Sequence, residues 1–252
     1  MDLFKSGKES HAHSMEIINL LYDHDDFMDS IKSILDAGCG DGDDIMWWAN
    51  STDRDDNPTR HNYRCVAMDK NMQRFLRNKN IPSNLHPFEG DFETGGISRP
   101  VDLVWCHNSL QYAENPAATL RNFNNYLTPG GVLVLSVPQT VNIEDNRWSS
   151  KCFPGQPFSF TISNLIYMLA CAGFDCKDGL FMKKADDPWL NVMVYKSEHK
   201  PVKTTDTNWY ELMDKKLLPA SADDAVMRFG YLSQADLITR WIDQSIILWD
   251  RV

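Results

Sequence analysis

None of the six cysteines, Cys39, Cys65, Cys106, Cys152, Cys171 and Cys176, stands in a Cys-x-x-Cys pair. Their spacing therefore encodes neither a zinc ribbon nor a small disulfide scaffold. No apolar run approaches the roughly 18 residues that a membrane-spanning helix requires. Residues 1–14 are polar and charged, without the apolar stretch of a secretory signal, so the expectation is a reduced, cytoplasmic protein without a membrane partner. Basic runs are missing too: 25 Lys and Arg face 35 Asp and Glu, a formal charge of −10. Such a surface repels phosphate backbones and argues against a nucleic-acid partner, whose binding draws on counterion release at a basic face. Internal repeats and low-complexity tracts are also lacking.

What is present is an ordinary folded composition. The 252 residues are 42% hydrophobic and 24% charged, with 13 Gly and 12 Pro, enough for one large domain with a well-buried core. Short apolar runs at Ser33–Ala37, Tyr63–Met68, Val101–His107 and Gly131–Val137 read as buried parallel strands, and a weaker one covers Leu85–Glu89. Asp43–Asn50, Asn71–Asn80 and Pro116–Tyr126 carry apolar residues at helical intervals, so strand and helix alternate. A helix at Ser163–Ala172 and a hairpin of Phe174–Lys183 with Trp189–Lys196 close the pattern.

The fold expected is therefore α/β: a Rossmann-like, doubly wound mixed sheet of seven strands with the last strand antiparallel, plus helical segments at both ends. Residues 1–30 form an N-terminal helical cap with a helix over His13–Tyr22. Residues 31–198 form the core, and 199–252 a C-terminal helical extension. Within that extension Ser233-x-x-Asp236 opens a helix to Trp249, whose apolar face either docks on the core or serves a homodimer.

The strongest chemical signal is Asp36-Ala37-Gly38-Cys39-Gly40-Asp41-Gly42, coming off the first strand and opening the first core helix. Glycines at alternate positions let the backbone turn tightly and approach a ligand at the carboxyl edge of the sheet. Asp43 stands where a dinucleotide fingerprint places its third glycine, and Asp36 puts a carboxylate beside the pocket. A cationic ligand suits that carboxylate better than a pyrophosphate does.

This turn resembles the first motif of the class I S-adenosylmethionine-dependent methyltransferases, in their small-molecule branch, and later segments follow in that family's order from about Ile34 to Lys196. The resemblance implies that S-adenosylmethionine is the cofactor. It implies that Asp69, ending the second strand with Lys70 beside it, holds both ribose hydroxyls. Asp91 and Phe92 of Gly90-Asp91-Phe92 would address the adenine. His107 and Asn108, opening the loop after the fourth strand, would lie near the transferable methyl. Asp36, Gly38, Cys39, Gly40 and Gly42 complete the implied cofactor set.

Methyl transfer from a sulfonium is an in-line displacement, so positioning is the protein's main task. An acceptor hydroxyl or ammonium needs a base, and the candidates are His107, Tyr112 and, from the N-terminal segment, His11 or His13. Many family members carry Glu-His where this chain has Gln111-Tyr112. His11-x-His13 has no third ligand at metal-site spacing, so no metal is expected. Residues 138–160, with Trp148, Phe153, Phe158 and Phe160, together with residues 1–30, are placed to roof an acceptor pocket. The leading expectation is a methyltransferase for a small-molecule acceptor. The alternatives are a nucleic-acid or protein methyltransferase and a non-catalytic S-adenosylmethionine-binding regulator.

Overall fold

The computed structural model describes residues 7–23, 27–51, 63–77, 80–138, 158, 160–182 and 189–219. Residues 52–62, most of the expected roof at 138–160 and the helix expected at Ser233–Trp249 lie outside the described residues.

The elements run α1 (Gly7–Asp23), α2 (Phe27–Ser30), β1 (Ser33–Ala37), α3 (Asp43–Asn50), β2 (Arg64–Asp69), β3 (Leu85–Glu89), β4 (Val101–His107), α4 (Pro116–Tyr126), β5 (Leu127–Pro138), α5 (Ile162–Cys171), β6 (Phe174–Met182), β7 (Trp189–Lys196) and α6 (Trp209–Asp214). One seven-stranded sheet has the order β3-β2-β1-β4-β5-β7-β6. β1 to β5 pair in parallel, whereas β7 is antiparallel to both β5 and β6, as the sequence predicts. The chain reverses direction across the sheet between β1 and β4, and doubly wound sheets bind ligands outside the strand ends at such a reversal.

Side chains alternate across the two faces with the period of a strand. Leu35, Ala37, Val104, Cys106, Leu133 and Leu135 pack on the face covered by α4, α5 and the α6 region. Ile34, Leu103, Trp105, Val132, Val134 and Met193 pack on the other, where Ile17, Ile18 and Leu21 of α1 and Ile45 and Trp48 of α3 lie. Asp36 falls on this second face, a carboxylate in a row of apolar residues, only 3% exposed.

Three local outcomes bear on the site. α1 starts at Gly7, six residues earlier than expected, and so includes His11. The helix expected over Asn71–Asn80 is replaced, among the described residues, by turns and one 3₁₀ turn at Phe75–Arg77. Side chains claim the backbone there: Asp69 Oδ1 accepts the Asn71 amide at 2.9 Å and Asn71 Oδ1 the Gln73 amide at 3.0 Å. Such local bonds compete with helix formation. α6, within the expected C-terminal extension, is capped by Asn208 and buries Leu212, and Leu217 and Leu218 follow it into the core.

Trp48 is fully buried, stacks on Tyr22 of α1 at 5.8 Å and meets Trp105 edge-on at 6.0 Å.

Candidate active site

β1 ends in the glycine turn because Gly38, Gly40 and Gly42 all hold positive φ, at 87°, 55° and 85°. Two of them are required by packing. A Cβ at Gly38 would sit 2.3 Å from Ser109 Oγ, and one at Gly42 would sit 2.3 Å from the Phe75 ring. Gly40 differs, since a Cβ there would meet nothing within 4 Å. The middle of the turn therefore faces open space, and that space is a cavity of about 490 Å³.

Gly38, Gly40, Asp69, Lys70, Phe92, His107, Asn108, Tyr112 and the candidate base His11 line this cavity. Asp69 Oδ2 accepts the Gly40 amide hydrogen at 3.0 Å. Each of its two oxygens takes one backbone N–H, and a carboxylate has lone pairs left for further hydroxyl donors. Phe92 is nearly buried, with its ring 5.9 Å from Phe123. Asn108 adopts φ 54°, a conformation Asn tolerates, and its amide donates to the Ser136 carbonyl. Tyr112 stands at the rim, 42% exposed.

The other four residues of the implied cofactor set take other positions. Asp36 lies beneath the turn, where burial, with the charges of Asp44 and Asp69 behind it, pushes its pKa well above the ordinary carboxylate value. Cys39 is half-buried, and burial followed by the Asp36 and Asp69 charges raises its thiol pKa, so it is a poor nucleophile. Gly42 packs on Phe75. Asp91 turns to Lys70, whose Nζ is 3.1 Å from its Oδ2, and accepts the Glu93 amide on Oδ1. That hydrogen bond raises the Lys70 pKa and keeps the ammonium charged.

Sequence reasoning passed over Asp44, Arg74 and Ser109. Asp44, in the first turn of α3, accepts from His11 Nδ1 at 2.7 Å and Ser14 Oγ at 2.5 Å through one oxygen, and from Trp105 Nε1 at 3.1 Å through the other. One carboxylate thus ties α1 and β4 to the helix that leaves the glycine turn. Arg74 forks onto Asp41 at 2.7 and 2.8 Å across the cavity rim. Ser109 Oγ reaches the carbonyls of both Gly38 and His107, locking the loop after β4 to the turn. The acidic run Asp41-Gly42-Asp43-Asp44 was visible in the sequence, but its partners come from distant segments.

At the opposite end of the cavity from the Asp69 side, His107 meets α1. His13 Nδ1 lies 2.8 Å from His107 Nε2. The rings pack against Trp189, which stacks with His13 at 5.6 Å and with His107 at 5.9 Å. One strand over, Ser136 Oγ donates to Asn191 Oδ1 at 2.7 Å, and both residues are buried.

The residues fit a sulfonium nucleoside. Gly40 leaves room for it, Asp69 presents lone pairs, and Asp41, Asp43, Asp44 and Asp69 give the lining a carboxylate-rich donor set suited to a cation. Comparison with known proteins agrees. Residues 35–133 match the family model described as a methyltransferase domain. The trans-aconitate 2-methyltransferase of Azoarcus sp. (strain BH72) is 21% identical over 124 residues, 48% of this chain and 44% of that protein, so the chain matches less than half the length of this relative. Among solved structures, a chain of a Haloferax volcanii complex that contains the Trm112 methyltransferase activator superposes with a TM-score of 0.58. It is 14% identical, over 76% of this chain and 95% of that one. The N-methyltransferase NodS of Bradyrhizobium japonicum WM9, in complex with S-adenosyl-L-homocysteine, gives 0.52 at 16% identity, over 78% and 91%. Motif order, the methyltransferase domain matched over residues 35–133 and the sheet topology together support a class I S-adenosylmethionine-dependent methyltransferase core in this chain.

Proposed function

We propose that the protein transfers a methyl group from S-adenosylmethionine to a small-molecule acceptor. The observation that carries this reading is the open face of Gly40 within a cavity walled by Asp69 and Phe92 on one side and by His107 and α1's His11 on the other. When bound, the cofactor supplies a methyl group on an electrophilic sulfonium.

The chain's own residues then have separable tasks. Asp69 accepts from the ribose hydroxyls, while its bond to the Gly40 amide fixes the turn against which the nucleoside lies. Phe92 offers the adenine an apolar face, and Lys70 neutralises Asp91 and Glu93 beside it. The carboxylates lining the cavity around the turn favour the positive sulfur. His107 and Tyr112 stand on the acceptor side.

A small acceptor is supported by the cavity's size and by the way α1, anchored through Asp44, walls its methyl end. The acid-rich lining and the net charge of −10 disfavour a nucleic-acid strand. Cys106, buried and with its thiol pKa raised by burial, is no nucleophile for cytosine chemistry. The described cysteines are free thiols, which suits a reducing, cytoplasmic setting. No described helix is long and apolar enough to cross a membrane.

The test is calorimetry with S-adenosylhomocysteine, followed by transfer of isotopically labelled methyl into small-molecule and polynucleotide fractions. Binding with label in the small-molecule fraction is expected. Absence of binding to the folded chain overturns the reading, and label confined to nucleic acid overturns the acceptor class.

A further inference from the structure

We propose that the side-chain amide of Asn108 holds the methyl acceptor by a neutral oxygen, so that the molecule methylated here carries an uncharged carbonyl group beside the atom that takes the methyl. This rests on the methyltransferase reading above and narrows its substrate class.

Asn108 follows His107 and precedes Tyr112, the two residues on the acceptor side, and all three line the cavity. Its backbone is held from two directions. The Asn108 amide donates to the Ser136 carbonyl on β5 at 3.0 Å, and the next residue, Ser109, reaches the carbonyls of Gly38 and His107 through its hydroxyl. The chain passes through φ 54° at Asn108, in the left-handed region that glycine enters with least strain. What stands there instead is an amide on the cavity wall.

Gln111 decides which end of that amide is left for a ligand. It is fully buried, and its Nε2 donates to Asn108 Oδ1. With Oδ1 occupied, Asn108 Nδ2 keeps its N–H groups and, among the described residues, has no acceptor for them. The opposite pairing, from Asn108 Nδ2 to Gln111 Oε1, would bury both N–H groups of Gln111 without an acceptor. In the pairing observed, the buried atom without a partner is a carbonyl oxygen, Gln111 Oε1, and unpaired buried oxygens are less rare than unpaired buried N–H groups. A glutamate carboxylate in that place could only accept, and would turn the Asn108 amide the other way. As packing alone Gln111 is a poor choice, because an apolar side chain would fill its space and leave no oxygen unpaired.

Charge and electron demand then select among the oxygens an N–H can bind. A carboxylate is disfavoured, since Asp41, Asp43, Asp44 and Asp69 line the same cavity. The lysine and arginine of the lining are already engaged, Lys70 by Asp91 at 3.1 Å and Glu93 at 3.6 Å, and Arg74 by Asp41 at 2.7 Å. The nucleophile itself is a poor partner, because donation into its lone pair withdraws the electrons that must attack the methyl carbon. A hydroxyl brings a proton for which Asn108 Oδ1, already occupied, is no acceptor. A carbonyl only accepts, and matches. Asn108 thus sets specificity by contact, and Gln111 is a positioning residue that acts through it.

Benzamide and benzoate test this, since they share a ring and differ in whether the oxygen is neutral or charged. The full-length protein is saturated with S-adenosylhomocysteine and each probe is titrated in by nitrogen-15 spectroscopy. The Asn108 side-chain resonance, assigned by its loss in Asn108→Asp, should move with benzamide, and benzamide should bind about tenfold more tightly than benzoate. Aspartate tolerates the same backbone and puts an acceptor in place of the donor, so Asn108→Asp should lose about tenfold in benzamide affinity. Gln111→Met keeps the volume and frees the amide to rotate, so benzamide affinity should fall about fivefold while benzoate affinity stays within about twofold. Loss of packing alone would weaken both probes equally. Benzoate bound as tightly as benzamide, an Asn108 resonance that benzamide leaves in place, wild-type benzamide affinity in Asn108→Asp, or equal losses for both probes in Gln111→Met would each overturn the proposal. So would a chain that takes up S-adenosylhomocysteine and binds neither probe. A chain that takes up no S-adenosylhomocysteine overturns the methyltransferase reading, and this proposal with it.

Discussion

Asp69 Oδ2 accepts the amide hydrogen of Gly40 at 3.0 Å, so the last residue of β2 holds the middle of the turn that ends β1. The carboxylate assigned to the cofactor's sugar also shapes the floor on which that cofactor rests. Asp69→Ala removes both functions. Affinity for S-adenosylhomocysteine should fall by roughly 1–3 kcal/mol, about 5- to 150-fold, as titration calorimetry reads it. Asp69→Asn keeps one carbonyl acceptor and should fall between the two. Unchanged affinity in the alanine variant would take Asp69 out of the site.

The glycine turn separates packing from binding. Gly38→Ala drives a methyl group onto Ser109 Oγ, 2.3 Å away, and should lower the melting temperature before any ligand is added. Gly40→Val meets no neighbour, and its strain at φ 55° is on the order of 1–2 kcal/mol. Its isopropyl group occupies the cavity instead. A folded protein with cofactor binding abolished is the expected result for Gly40→Val, read by circular dichroism beside calorimetry. Retained binding would place the nucleoside elsewhere.

The parts of this architecture that are written locally were legible from the sequence. α4 and β7 fall where their apolar patterns put them, because each element's pattern is set within a few residues. The turn from Asp36 to Gly42 was readable because its glycines answer a backbone need that no neighbour supplies. The helix expected at Asn71–Asn80 failed because Asp69 and Asn71 bind backbone amides ahead of it, a competition periodicity does not register. His13 and His107 were each visible as candidate bases, but their hydrogen bond depends on where α1 docks. Asp44 carried no signal of its role, since its donors His11, Ser14 and Trp105 come from two other elements.

Asp36 gives the site a pH signature. Burial, then the charges of Asp44 and Asp69, raise its pKa in the folded protein well above the ordinary carboxylate value. A raised folded-state pKa contributes stability that is present below the unfolded value, near 3.9 for aspartate, and is lost as pH climbs through the folded value. Asp36→Asn removes this titration and keeps an oxygen to accept the Ile45 amide. The variant should therefore melt higher than the wild type at neutral pH, with the gain shrinking as pH falls toward 4. Melting curves across that range check it. A difference independent of pH, or one that grows on acidification, would contradict the placement of Asp36 beneath the turn.

The latch at Asp44 predicts how the acceptor side responds to damage on the cofactor side. Its carboxylate is the partner of Ser14 Oγ and Trp105 Nε1, donors on residues no more than 1% exposed, as well as of His11. Asp44→Ala leaves those donors without their carboxylate, a loss on the order of 2 kcal/mol of stability. The loss should be uneven. Ile17, Ile18 and Leu21 still hold the far half of α1 in the core, so its first turns, carrying His11 and His13, should open first. Hydrogen exchange should speed up at residues 11–14 while amides of β1 and β4 stay protected. Methyl transfer should fall further than cofactor affinity does, because His13 leaves His107 while Asp69 and Gly40 stay in place. Uniform exchange across α1 and the sheet would mean that Asp44 serves overall stability and not the closure of α1 over the site.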